Sequence, residues 1–362
     1  MSTAIRKSRI TLWVVLALLG LMLVAAAGTA LYVWYGLQPT PEGVVKRVEI
    51  ANGSTPFKVA EILEEQGIIR NAFLFKYYLR FQNEGSRFQA GVYDFTPGME
   101  YEAIIAKLNA GDTVKAETVR FTIPEGFTVL QIADKLSEEE LIDKQKFLEL
   151  AESQAMLTYS EAASKIEAGE QMNHLLEGYL FPETYEMKKD STEQDMIVRM
   201  LQELDRKLNG LPEGWRERLA ERNLSFHDMM IVASLVEREV VVDEERALVA
   251  GVIYNRLAIG MPLQIDATVQ YALDKPKERL FEKDLQIDSP YNTYKINGMP
   301  PGPIASPSLA SIEAAIYPEE TEYLFYVTKK DGSQTHLFGK TYEEHLKNIR
   351  ISNETAKEGE SQ

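Results

Sequence analysis

The sequence predicts an α+β protein in three parts: a single N-terminal membrane-spanning helix, a small β-α module and a larger mixed α+β domain. Three observations carry this. The run from Ile10 to Leu37 holds no charged residue and is long enough to cross a bilayer, which requires about 20 apolar residues in a helix. A strand-turn-helix pattern then occurs twice at a constant offset of 73 residues. Beyond it, helical and strand periodicities alternate with proline- and glycine-rich loops as far as residue 352. At 362 residues and 45% hydrophobic content the chain can support two or three domains with folded cores.

Arg6, Lys7 and Arg9 precede the apolar run, so the positive-inside tendency keeps residues 1–9 in the cytoplasm and places everything after Pro39 outside. Residues 10–37 span the lipid bilayer. A cleaved signal peptide is the competing reading, because Ala25 to Ala30 offers small residues to a peptidase. Apolarity nevertheless continues through Leu31 to Tyr35, with the aromatic end of a membrane interface, which favours an anchor. Gln38 to Gly43, with two prolines, reads as a linker.

The repeat pairs Ile50-x-x-Gly53, Val59-Ala60 and Leu63 with Ile123-x-x-Gly126, Ile132-Ala133 and Leu136. Each copy reads as a strand (Val44 to Ile50, Thr118 to Ile123), a glycine turn and an amphipathic helix. A strand at Gly91 to Phe95 and a helix from Tyr101 to Asn109 close the first copy, giving a module over 44–114. Its order of elements is similar to the LysM-like carbohydrate-binding fold; a spacer that holds the rest of the chain off the membrane is the alternative. The larger domain covers 117–352. Within it, the charged stretch 137–172 reads as a solvated helical connector. Leu176 to Tyr185 reads as an aromatic loop and short strand near a cleft, and a helix capped at Ser191 or Thr192 runs to Leu208.

The segment Ser225 to Glu239, S-F-H-D-M-M-I-V-A-S-L-V-E-R-E, is the centre of the domain. Ser225 and Asp228 form a capping-box signature. The following residues are apolar on nearly every side, as in a buried helix. Glu237 shares its face with Met230, Ala233, Ser234, Val240 and Val241. Apolar surroundings hold a carboxyl protonated near neutrality, where it can serve as a general acid, so Glu237 is the leading catalytic candidate. A structural ion pair with a neighbouring arginine is the plain alternative. Ser234 lies mid-helix without a nucleophile elbow, and His227 stands two turns away, about 10 Å along the axis, so a serine mechanism is disfavoured.

Asp243-Glu244-Glu245 opens a second helix that Gly260 ends beyond Asn255-Arg256-Leu257. Gln264 and Asp266 stand at the edge of apolar segments, as a sugar cleft requires or as a simple helix cap provides. Residues 289–307, including Tyr291 and Asn292, form a proline-stiffened loop suited to a preformed site. A helix at Leu309 to Ala315 and two strands near Tyr323 to Thr328 and His336 to Phe338 close the domain, and the polar tail 353–362 is expected to be disordered.

Composition excludes several classes. The net charge is −16, and the first 41 residues hold three of the 39 basic residues and none of the 55 acidic ones, so the remainder repels phosphate backbones and nucleic acid is not a partner. Without cysteine there is no disulfide or thiolate site, and the four histidines lack metal-ligand spacing. Neither a metal nor another cofactor is expected.

Five motifs, L-E-G-Y-L-F-P-E-T-Y, A-S-L-V-E-R-E, Y-N-R-L, L-Q-I-D-A-T-V-Q-Y and Y-N-T-Y-K-I-N-G-M-P-P-G-P-I, resemble in content and order the YceG-like family of endolytic murein transglycosylases. The resemblance covers about Glu177 to Phe338. It implies a membrane-anchored enzyme with an extracytoplasmic domain that cuts nascent peptidoglycan glycan strands internally, breaking the MurNAc-GlcNAc β-1,4 bond and closing a 1,6-anhydro ring. One carboxyl group suffices for that reaction, whereas ordinary glycosidases use two, roughly 5 to 9.5 Å apart. The family's catalytic glutamate, first of its V-E-x-E motif, falls on Glu237. The remaining candidates, Glu177, Glu239, Asn255, Arg256, Gln264, Asp266, Tyr291 and Asn292, are expected to bind the sugar or support the site. Arg238, Ile265 and Ala267 depart from the family's usual residues, which bears on the contact near Gln264. Peptidoglycan synthases are compatible partners, and a non-catalytic wall-binding scaffold and a two-carboxylate hydrolase are the competing functions.

Overall fold

The computed structural model describes residues 2–114, 117–167, 169, 171–273, 275 and 277–360. The chain divides into two units, Met1–Ala116 and Glu117–Gln362, and the architecture is α+β, with three two-stranded antiparallel sheets among the described residues.

The first unit opens with α1 (Ser2–Gly36). Its stretch Leu16–Gly36 is long and apolar enough to cross a membrane, and it is exposed along nearly all its length, with Gly36 buried at its end. β1 (Lys46–Ile50) pairs with β2 (Gly91–Phe95), with Val48 opposite Tyr93. Between them lie α2 (Pro56–Glu65), whose Thr55 cap accepts from the Lys58 amide, and α3 (Ala72–Phe81), capped by Asn71. Proline at the start of α2 costs nothing, since its missing N–H would be unbonded there. α4 (Tyr101–Ala110) ends at Gly111, whose φ of +64° closes the helix without a Cβ clash. Val59, Leu63, Phe75, Tyr93, Phe95, Ile104 and Leu108 form the core. The sequence reading missed α3. Its run A-F-L-F-K-Y-Y-L-R-F is rich in aromatics that fit a strand as well as a helix, and the Asn71 cap and packing decide between them.

In the second unit β3 (Thr118–Thr122) pairs with β4 (Thr184–Lys188). Capping boxes begin α5 (Val129–Glu138) at Thr128/Gln131 and α7 (Glu193–Asn209) at Thr192/Asp195. Between these helices, α6 (Lys144–Ala151) and two short 3-10 turns correct the expected solvated connector: Phe147, Ala151, Met156, Ala162, Ala163 and Ile166 are all buried in the main core. Its apolar residues are few, and the 3-10 turns do not repeat them at the helical period, so the charges dominated the pattern.

After α8 (Trp215–Glu221) comes α9 (Phe226–Glu239), begun by the Ser225/Asp228 capping box. Met229 to Val236 are buried, and α9 packs against α10 (Arg246–Ala258), α11 (Asp266–Ala272) and α12 (Leu309–Ile316). β5 (Phe325–Thr328) and β6 (His336–Gly339) form the last hairpin. α13 (Tyr342–Glu360) corrects the expected disordered tail. The helix is nucleated within the fold, where Ser352 Oγ donates to the Thr328 carbonyl at 2.7 Å and Asn348 Nδ2 to that of Phe338 at 3.0 Å. Adding residues to an established helix costs far less than starting one. Residues 361–362 of that tail lie outside the described residues.

Candidate active site

Helix α9 carries Glu237 in its last turn, where the buried apolar run gives way to polar neighbours. Its Oε2 accepts four hydrogen bonds: from the Ser308 amide (2.9 Å), Ser308 Oγ (2.5 Å), Ser311 Oγ (2.8 Å) and Arg246 Nη1 (3.2 Å). Ser308 is the cap of α12 and also accepts from the Ser311 amide. The oxygen therefore sits at a helix N-terminus, where the backbone dipole favours negative charge. Arg246 is itself fixed, through Ser311 Oγ at 2.6 Å and Asp243 Oδ1 at 2.8 Å.

This geometry corrects the expected apolar surroundings. The helix face below Glu237 is apolar, but the carboxyl lies among two hydroxyls, an amide and a guanidinium, and its side chain is only 6% exposed. An oxygen that accepts four donors has no room for a proton of its own. Oε1 takes no hydrogen bond among the described residues and is not a buried orphan. The acid thus has one oxygen fixed and one available.

A second carboxyl stands beside it that sequence reasoning missed. Gly126, with φ +73°, is held by its amide on the Ser306 carbonyl (2.9 Å) and by Arg238 Nη1 on its own carbonyl (3.0 Å). A methyl group there would stand 3.9 Å from Glu237 Cγ. The preceding Glu125 is exposed, and no hydrogen bond or ion pair binds its carboxyl among the described residues. Partial burial, then the negative charge of Glu237, push its pKa up. The only sequence signal was the turn glycine of the repeat. Nothing in the sequence ties Ser308 or Arg246 to Glu237.

The other candidates divide among separate places. Glu239 points into an aromatic enclosure, where Tyr326 Oη donates to it at 2.8 Å; burial first, and the charge of Asp266 further, raise its pKa. Arg256 is buried and donates to the carbonyls of Leu324 (2.6 Å) and Leu263, with its guanidinium over Phe325 and Tyr326. Asn255 holds the carbonyls of Thr321 and Tyr323 at 2.8 and 2.9 Å. Asn292 does the same for Leu285 and Ile287, and Tyr291 is packed on Tyr271. Glu177 is fully buried, accepting from the Val129 amide at 3.0 Å and Tyr271 Oη at 3.1 Å, and burial pushes it up to about 8.

Gln264 and Asp266 alone among these remain exposed. Gln264 holds a left-handed φ of +51°, unusual for a residue with a side chain, fixed by its amide on the Thr293 carbonyl at 3.0 Å. Asp266 accepts from Tyr294 Oη at 2.6 Å. Ser234 bonds back to the Ile231 carbonyl and accepts from the Ile304 amide, so it fastens the 289–307 loop to α9. Among the described residues no group of three or more His, Asp or Glu is placed to hold a metal ion.

The YceG-like family model matches residues 48–351. The chain belongs to the YceG-like family. A protein of Bacillus subtilis strain 168 named endolytic murein transglycosylase is 36% identical over 306 residues, covering 83% of this chain and 82% of that protein. One of the same name from Streptococcus pneumoniae serotype 2 is 31% identical over 321 residues, covering 83% of this chain and 57% of its own longer length. The crystal structure of a yceG-like protein of Listeria monocytogenes is also similar, at 35% identity and a TM-score of 0.56, covering 84% of this chain and 98% of that one. The motifs from Glu177 to Phe338 lie inside the matched region, so the V-E-x-E signature belongs to a YceG-like chain rather than to an isolated helix.

Proposed function

We propose that this protein is an endolytic lytic transglycosylase of peptidoglycan, with Glu237 as its single acid/base. The relatives' names supply the substrate class, and one observation carries the assignment of the residue: Oε2 of Glu237 is tied by four donors while Oε1 is free. A proton on Oε1 passes to the glycosidic oxygen as the bond from MurNAc C1 breaks, and the electron pair leaves on GlcNAc O4. Positive charge develops at C1 and the ring oxygen. The MurNAc C6 hydroxyl then attacks C1, Glu237 takes its proton, and a 1,6-anhydro end forms without water. The four fixed donors orient the carboxyl through both halves of the cycle without reorganisation. Glu125 lies where its negative charge can balance the oxocarbenium-like centre. Gln264 and Asp266 are the candidate contacts for the strand, and Arg256 holds the Leu263 carbonyl at the start of the segment that carries them.

The anchor, residues 10–37, would cross the bilayer with the N-terminus inside and the enzyme outside, and the 44–114 module would bind sugar or act as a spacer. Incubation of the purified protein with glycan strands, followed by mass analysis, tests the chemistry. Anhydro-MurNAc ends that vanish in Glu237→Gln support it. Glu125 also gives specific ground for a hydrolase, in which it would activate water; reducing MurNAc ends in place of anhydro ends would select that reading.

A further inference from the structure

Helix α3 turns an unusual face outward. Phe73, Lys76, Tyr77, Arg80 and Phe81 are all exposed, and their spacings of three, four and seven place them along one side. Phe73, Tyr77 and Phe81 are 58%, 51% and 86% exposed, while Ala72, Phe75 and Leu79 are buried beneath them. Phe73 and Tyr77 meet edge to face at 4.8 Å, and the Lys76 ammonium stands over the half-covered ring of Phe57. α3 contains no acidic residue, in a chain whose net charge is −16. A contiguous aromatic patch edged with cations calls for a partner that is apolar within and anionic at its surface.

Its position says which partner. The start of α3 is joined to the end of the apolar helix α1. Asn71 Nδ2 donates to Tyr32 Oη at 3.1 Å, Arg70 Nη1 to Tyr35 Oη at 3.0 Å, and the Arg70 guanidinium lies over the Tyr35 ring. Leu74 occupies the space that a side chain on Gly36 would need, so the two helices approach as closely as glycine permits. Tyr32, Trp34 and Tyr35 are exposed around that junction, as at the aromatic belt of a membrane interface. The ten residues of α3 extend about 15 Å from it.

We propose that α3 lies in the headgroup layer of the bilayer that α1 enters, with Phe73, Tyr77 and Phe81 inserted among acyl chains and Lys76 and Arg80 on anionic lipid phosphates. This rests on the reading of α1 as a membrane anchor. The module is then seated on the membrane by a second element, rather than suspended from a single helix.

The chain has no cysteine, so spin labels can be placed singly on the full-length protein. Phe81→Cys, Met22→Cys within the apolar helix and Glu65→Cys on α2 are each labelled and reconstituted in vesicles of phosphatidylethanolamine and phosphatidylglycerol. Accessibility to oxygen, which partitions into lipid, is compared with accessibility to an aqueous nickel chelate. The expected result is lipid-like accessibility at 22 and 81 and aqueous accessibility at 65, with Lys76→Glu/Arg80→Glu moving the label at 81 towards water. A lipid-embedded label at 22 with a fully aqueous one at 81 overturns the proposal while leaving the anchor intact. Spin-spin broadening at 81 without lipid contact also overturns it, in favour of a second copy of the chain. An aqueous label at 22 removes the anchor, and the proposal with it.

Discussion

Glu237 and Glu239 leave the same helix end two residues apart and meet opposite environments. One places a single oxygen in a cradle of serines, an amide and arginine and leaves the other free. The other carboxyl is enclosed with Tyr326, where burial holds its pKa up. The contrast teaches that a raised proton affinity does not by itself make a catalytic acid; an oxygen that substrate can reach is also required. The largest expected effect follows directly. Glu237→Gln should lower the rate of anhydro-end formation by about 10³-fold or more, within the range for loss of a general acid. Glu239→Gln, which keeps the partner for Tyr326, should change it by less than about tenfold. Equal losses measured on the same glycan strands would break the comparison.

The cradle can be tested next. Ser308→Ala removes the shortest of the four donors to Oε2 and one acceptor for the Ser311 amide, leaving the carboxyl less firmly held by the three donors that remain. A fall in kcat of about 10- to 100-fold with KM nearly unchanged is expected, because positioning rather than ground-state binding is lost. A rise in KM alone would mean that Ser308 contacts sugar instead. A smaller effect, about tenfold in kcat, is expected for Glu125→Gln, with Glu125→Asp intermediate, if its charge acts on the developing positive centre. No change in either parameter would show that the second carboxyl is a bystander.

How much of this was readable follows from the length scale of each signal. The capping box at Ser225 and the cap expected at Ser191 or Thr192 are local patterns, and the helices they predict begin there. Glu237 was legible because a polar residue in an apolar run is conspicuous. Its cradle was not: Ser308 and Ser311 lie more than 70 residues away in sequence, and no local pattern links them to Glu237. The same limit applies at Asn255, Arg256 and Asn292, which were expected to bind the sugar or support the site. Polar residues beside apolar segments suggest a cleft, but here their donors close on backbone carbonyls of neighbouring loops. A pattern can identify a polar residue at a boundary; only the fold decides whether it faces sugar or a carbonyl. In 137–172 and at α13 the apolar or tertiary contacts that order those segments were too sparse to form a period.

Glu177 extends the comparison to a carboxyl with no exposed surface, and its effect should appear in stability rather than in catalysis. Both its oxygens are engaged, by the Val129 amide and Tyr271 Oη, and burial pushes it up to about 8 against an ordinary value of 4.5. Below 4.5 the folded and unfolded states both carry the proton, and pH has no leverage through this group. Between 4.5 and about 8 the unfolded chain has released it and the folded chain has not, so unfolding gains up to about 1.4 kcal/mol for each pH unit; above 8 both have released it and the loss levels off. Glu177→Gln replaces the acid with a neutral group of the same shape and should remove this slope. Denaturant titrations of both proteins at pH 5 and pH 8 should therefore show a smaller loss of stability in the variant, with little difference in cleavage rate at the lower pH. Parallel pH dependences would mean that Glu177 is ionised inside the fold, and the distinction between an enclosed, neutral carboxyl and an accessible, oriented one would fail at this residue.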